Sequence, residues 1–149
     1  MDNFIEKIKN FQLPFFSRLQ LYLDLGTTNT RIAVKEKGIV LKEPTVIGLN
    51  KKTREYIFFG KEAKEIVGKV PEFISIQQPI INGIISEFDA EVALVRNFIN
   101  RSVSPYLSQY QFLKPTLDAA VAVPTIATEI EQKAIEEVLA KVGVSKINL

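Results

Sequence analysis

The sequence has no cysteine and no histidine among its 149 residues. Without thiols there is no disulfide framework, no thiolate zinc site and no cysteine nucleophile. Without imidazole, Ser-His-Asp chemistry and histidine-ligated metals are excluded too. Acid–base work is left to Asp, Glu, Lys or Tyr. No run approaches the ~20 consecutive apolar residues that a membrane-spanning helix needs. A secretory leader is not expected, because Asp2, Glu6, Lys7 and Lys9 interrupt the apolar residues at the start. A surplus of one charge is also lacking. Nineteen Lys and Arg stand against 17 Asp and Glu, a net +2 too balanced for a nucleic-acid binder. What remains, 46% hydrophobic and 24% charged, is the composition of a globular domain with a core. The cytoplasm is the default compartment.

Periodicity orders the chain. Phe4, Ile5, Ile8 and Phe11 recur at helical spacing with charges between them, and Pro14 ends that pattern. Leu19, Leu21, Leu23 and Leu25 alternate, which predicts a strand. Gly26-Thr-Thr-Asn29 reads as a tight turn. A second strand follows over 30–36, a hairpin turn at Lys37-Gly38, and a third strand over 39–49 interrupted at Pro44. Beyond a turn at 50–53, a short strand is expected over 55–59 and a short helix over 61–68. Residues 73–85 look extended, with breaks at Pro79 and Asn82-Gly83. A helix starts at Asp89, its expected N-cap, with Val92, Val95, Phe98, Ile99 and Val103 on one face. Residues 104–115 read as a loop and 119–123 as a buried strand. The last helix, over 129–142, turns Ile130, Ala134, Ile135, Val138 and Leu139 inward, and a final strand begins at Val144. An antiparallel meander followed by helix–strand alternation is an α/β layout.

One motif carries chemistry. Asp24-Leu-Gly-Thr-Thr-Asn-Thr30 lies where the first strand turns into the second. Gly26 lets backbone approach a ligand closely. Turn N–H groups and the hydroxyls of Thr27 and Thr28 are donors for phosphate oxygens. Asp24 can hold Mg²⁺ through water, since that ion keeps most of its hydration shell. A polar hairpin turn without a ligand is the plainer reading, and the residues alone leave both open. Thr128-x-x-Glu131 is a capping box in which Glu131 reaches back to the Thr128 N–H.

The run Asp24–Asn29 resembles the first phosphate loop of the actin superfamily, which includes actins, sugar kinases and DnaK-type chaperones. Lys37–Val46, Gly60–Gly68, Pro79–Ile85, Val121–Pro124 and Thr128–Glu131 follow in order and are similar to the bacterial actins of the MreB family. The resemblance covers about residues 20–149. It implies an α/β, actin-like (ribonuclease H-like) core subdomain with a small inserted subdomain at about 50–85. Residues 18–149 would be the N-terminal lobe, an apparently truncated half of a two-lobed fold, preceded by an amphipathic segment over 1–17. It also implies a rod-shape-determining filament that binds and hydrolyses ATP when complete. Gly26, Thr27, Thr28 and Asn29 would hold phosphate, Asp24 would hold Mg²⁺ through water, and Glu131 would orient the attacking water. Partners would be other filament protomers, the inner face of the cell membrane and the cell-wall elongation machinery, with no nucleic acid. Arg31 departs from the pattern, standing where the family usually has an apolar residue. The alternatives are a DnaK-type or sugar-kinase-like ATPase fragment, or a half-actin interaction module without catalysis.

Two apolar devices fit a membrane surface. The stripe Phe4, Ile5, Ile8 and Phe11 suits an interfacial helix, and equally a helix packed on its own domain. Phe112-Leu113 resembles the family's membrane-inserting loop; by itself the pair reads as a loop anchor tucked into the core.

Overall fold

The structure is a computed structural model that describes residues 18–107 and 114–149. The expected membrane residues Phe4, Ile5, Ile8, Phe11, Phe112 and Leu113 lie outside that range.

Alternating leucines set the central strand. β1 (Arg18–Leu25) points Leu19, Leu21 and Leu23 into the core and Tyr22 and Asp24 to the other side. β2 (Asn29–Val34) and β3 (Gly38–Pro44) continue antiparallel to it. β9 (Thr116–Ala122) runs parallel on the other side of β1, and β10 (Val144–Asn148) parallel beside β9. The order is β10-β9-β1-β2-β3. Two helices supply the other wall of the core. α2 (Phe88–Leu107) contributes Leu94, Val95, Phe98 and Ile99, and α3 (Glu129–Lys141) contributes Ile135, Val138 and Leu139.

β4 (Ile47–Asn50), β5 (Glu55–Phe59) and β6 (Ile74–Gln77) form a second, antiparallel sheet in the order β5-β4-β6. One helical turn, α1 (Lys61–Glu65), follows β5. β7 (Ile80–Ile81) and β8 (Ile84–Ile85) form a hairpin. Its turn residues Asn82 and Gly83 both have positive φ, 52° and 80°, as a two-residue hairpin turn of matching twist requires. Glu43 ties the pieces together. Its carboxylate accepts from the Lys61 N–H at 2.8 Å and from Arg101 Nη2 at 2.7 Å.

The meander and the parallel pairing agree with the pattern read from sequence. Several boundaries do not. The third strand is two strands in different sheets, β3 and β4, separated at Thr45-Val46. Phe88, not Asp89, begins α2, so Asp89 lies in the first turn and is not the N-cap. The expected loop over 104–115 starts late, because α2 runs through Pro105 to Leu107. Proline has no N–H for the Arg101 carbonyl four residues back. The Ser104 hydroxyl donates to that carbonyl instead, at 3.4 Å. Ile130 does not face inward but is 82% exposed.

Candidate functional site

The parallel register lays Asp24 of β1 beside Ala122 of β9. Both strands therefore end at the same edge, and the segments that leave them converge. Crevices at the carboxyl ends of parallel strands are where open α/β sheets bind ligands. From β1 comes the turn Gly26–Thr28. From β9 comes Val123–Ala127, which leads into the N-terminus of α3 with its unpaired backbone donors.

The turn is held from behind. The buried Thr45 hydroxyl donates to the Gly26 carbonyl at 2.6 Å and lies 3.0 Å from the Thr30 hydroxyl. The Thr45 N–H also donates to the Thr28 carbonyl at 3.1 Å. Gly26 has no room for a side chain: a Cβ there would stand 2.9 Å from the Asn29 carbonyl oxygen. From the front, the β7–β8 hairpin reaches the same turn. The Gly83 N–H donates to Thr27 Oγ1 at 2.8 Å, and Gln78 Nε2 donates to the Thr27 carbonyl at 2.8 Å. Thr28 is exposed, and Gly26, Thr27 and Asn29 are half-buried.

Asn82, Gly83, Pro124, Ala127, Thr128 and Glu131 line a cavity of about 180 Å³ beside this contact. Glu131 Oε2 accepts from the Thr128 N–H at 2.7 Å, and the Glu131 N–H donates to Thr128 Oγ1 at 3.3 Å. The capping box read from the spacing is thus formed. The cap engages Oε2, so a ligand would be met through Oε1 or by a side chain that releases the N–H.

Asp24 is not a bare carboxylate. It faces Arg31 across the β1–β2 pair, with Arg31 Nη1 2.8 Å from Asp24 Oδ2 and both side chains about half exposed, 46% and 45%. Among the described residues no three carboxylates gather into a ready-made metal cage. A single half-exposed carboxylate suits only a hydrated cation that takes its other oxygens from elsewhere.

The expected residues thus divide. Gly26, Thr27, Thr28 and Asn29 form one turn, which the hairpin joins to the cavity at Glu131. Asp24 lies at the strand end beside them, neutralised by Arg31. Thr45, Gln78 and Gly83 went unnoticed as site residues, because each acts through a contact between distant segments. The runs Lys37–Val46 and Pro79–Ile85, singled out for their resemblance, contain Thr45 and Gly83, and Gln78 adjoins the second.

A family profile described as "MreB/Mbl protein" matches residues 18–149. The chain belongs to the MreB/Mbl family. The match separates it from the DnaK-type and sugar-kinase-like alternative. The cell shape-determining protein Mbl of Bacillus subtilis (strain 168) is 40% identical over 121 residues, covering 81% of this chain and 34% of that protein. The cell shape-determining protein MreB of Escherichia coli (strain K12) is 31% identical over 146 residues, covering 95% and 40%. The chain therefore spans little more than a third of the length of these relatives. Among solved structures, MreB5 of Spiroplasma citri bound to ADP superposes with a TM-score of 0.74 at 28% identity, over 88% of this chain and 37% of that one. A MamK double helical filament gives 0.67 at 21% identity, over 89% and 40%, a likeness of fold alone. The fold is actin-like α/β.

Proposed function

We propose that this MreB/Mbl chain contributes the first phosphate-binding half of a nucleotide site in a cell-shape filament protein. The observation that carries the reading is the junction of the Gly26–Thr28 turn, the Gly83 tip and the Glu131 cavity at the ends of β1 and β9. Support comes from the relative MreB5, which was solved with ADP. In this reading the Gly26–Asn29 turn meets the phosphates of ATP with backbone donors and with the Thr27 and Thr28 hydroxyls. Thr27 accepts from the Gly83 N–H and donates its own O–H to a phosphate oxygen. Glu131 leaves the Thr128 N–H to orient the attacking water, a positioning role suited to phosphoryl transfer.

Asp24 is the residue that would hold Mg²⁺, through water. Bound there, the ion would supply charge neutralisation on the phosphates. Arg31 already engages Oδ2 of the same carboxylate, so the hydrated ion would meet Asp24 through Oδ1 or displace Arg31.

The larger assignments rest on the family. Self-assembly into filaments is the reading supported by the likeness to MreB5 and to the MamK filament. Residues 18–149 form the N-terminal lobe and residues 50–85 a small inserted subdomain. The protein works in the cytoplasm on the inner face of the membrane, with the cell-wall elongation machinery as partner. Residues 1–17 carry the stripe Phe4, Ile5, Ile8 and Phe11, and with Phe112 and Leu113 it supplies the membrane contact. Among the described residues no helix is long and apolar enough to cross a membrane.

The nucleotide reading is tested by titrating the chain with a fluorescent ATP analogue, with and without Mg²⁺. Magnesium-dependent binding that Gly26→Val abolishes is the expected result. Equal binding by both forms would remove the turn from the site. For the membrane contact, sedimentation with anionic liposomes is expected, and its loss on Phe112→Ser combined with deletion of residues 1–11. Equal sedimentation of both forms would end that part of the reading.

A further inference from the structure

The small sheet ends on β5. In the order β5-β4-β6 that strand pairs with β4 alone, so among the described residues its outer edge carries unpaired backbone N–H and C=O groups. A groove of about 650 Å³ lies between β5 and α2. Glu55, Tyr56 and Ile57 line it in succession. Consecutive residues of a strand point to opposite faces. A groove that meets three in a row therefore follows the edge of the strand and not one face. Its lining comes from residues 54–59 and 93–100. The opposite edge strand, β6, leads into Gln78 on the Thr27 carbonyl, so the groove lies at the edge away from the phosphate turn.

The chemistry of the groove selects its occupant. Arg54 and Arg96 stand against Glu55 in the lining, and Lys51 and Lys52 precede Arg54 in the turn. Asn97 also lines the groove, and its Oδ1 is buried without a hydrogen-bond donor among the described residues. A buried acceptor left unpaired is costly, and an N–H brought by an occupant relieves it. Ile57, 39% exposed, adds apolar surface. Burial, and then Asp89 and Glu87, push the Tyr56 phenol up. Those two acids beside the groove disfavour an acidic run and leave room for isolated acids. The pairing of β5 with β4 shifts register between Tyr56 and Phe58, leaving Ile57 outside the ladder. Such a bulge turns an edge away from long flat strands. It therefore disfavours a second copy of β5 and favours a short segment.

We propose that a partner protein lays a short extended segment along the free edge of β5, as an added strand, with an acidic side chain on the Arg54 and Arg96 guanidinium groups and a donor to Asn97 Oδ1. The docking uses no residue of the phosphate turn and does not depend on nucleotide binding.

The test is an amide NMR titration of the full chain with the peptide Val-Thr-Val-Asp-Val-Thr, taken to millimolar concentration. Main-chain bonds supply most of the affinity in strand addition, so this generic sequence suffices. Shifts are expected over Glu55–Phe59, at Arg96 and at the Asn97 side-chain amide, with β6 unaffected. The peptide with lysine in place of aspartate should bind about tenfold more weakly. Methylating the peptide nitrogens along one edge should abolish binding, and along the other edge should preserve it. Arg54→Glu should weaken binding about tenfold at an unchanged melting temperature, because among the described residues its guanidinium makes no hydrogen bond or ion pair. Absent binding, binding that survives both methylations, equal binding of the two peptides, or unchanged affinity of Arg54→Glu would overturn the proposal. Shifts of β5 that grow with the chain's own concentration would assign the edge to a second copy instead. Sedimentation with anionic liposomes that Arg54→Glu abolishes, without peptide binding, would assign the groove to lipid.

Discussion

The two faces of the five-stranded sheet are built from alternate residues of the same strands, and they differ in every property that matters. On one face Leu21, Leu23, Ile32 and Val34 are buried against α2 and α3. On the other, Tyr22 and Ile39 are exposed, and Asp24 and Arg31 form a half-exposed ion pair. A single period-2 pattern thus separates stability from chemistry. The covered face fixes the strands, and the fixed strands hold the Gly26 turn and Asp24 at their ends. The comparison implies that damage to the covered face unfolds the protein. Damage at the strand ends should leave it folded and alter the site.

The largest effect should come from the core. Leu21 is fully buried, and Leu21→Ala is expected to cost about 2–5 kcal/mol in urea unfolding. Lys146→Ala, an exposed position of β10, should stay within about 0.5 kcal/mol. Equal costs would erase the distinction between the faces.

Next is Glu91, buried in α2 with neither carboxylate oxygen hydrogen-bonded among the described residues. Burial pushes its carboxyl up to about 8. Between the ordinary carboxylate range and about pH 8 the folded state keeps a proton that the unfolded state has lost. Stability should therefore fall as pH rises through that window. Glu91→Gln is expected to flatten the dependence and to be the more stable form at pH 9, by about 1–3 kcal/mol. Parallel pH profiles for the two proteins would contradict the burial argument.

Thr45→Val tests the link between core and turn. It removes the donor to the Gly26 carbonyl, at an expected cost of about 1–3 kcal/mol. Hydrogen exchange should accelerate at the Thr45 amide, which is bonded to Thr28, more than in α2. Uniform acceleration would show that Thr45 serves general stability alone. The smallest effect belongs to Glu131→Ala. Losing its half of the capping box should cost about 1 kcal/mol or less, visible as a slightly lower melting temperature.

Much of this was legible in the sequence where the signal was local. Alternating leucines gave β1, the period of 3.6 gave α2 and α3, and Thr128-x-x-Glu131 gave the cap. The failures have physical causes. Pro105 looked like a helix stop, but its missing N–H is compensated by the Ser104 hydroxyl. Ile130 fits the inward stripe of α3 by spacing, yet it sits in the first turn and is left exposed. The site was legible in part. Gly26 and the threonines beside it announce themselves by composition. Thr45, Gln78 and Gly83 reach the turn across separations of 19, 51 and 56 residues. No local pattern encodes such contacts.

The central claim is that phosphate is received where β1 and β9 end. Amide chemical shifts of the full chain, followed by NMR during titration with Mg-ADP to millimolar concentration, test it directly. The account predicts that Gly26–Asn29 and Gly83 shift together, because a phosphate accepting from the Thr27 O–H polarises the oxygen to which the Gly83 N–H donates. Shifts confined to the open face around Tyr22 and Ala120, or no shifts at all, would contradict it.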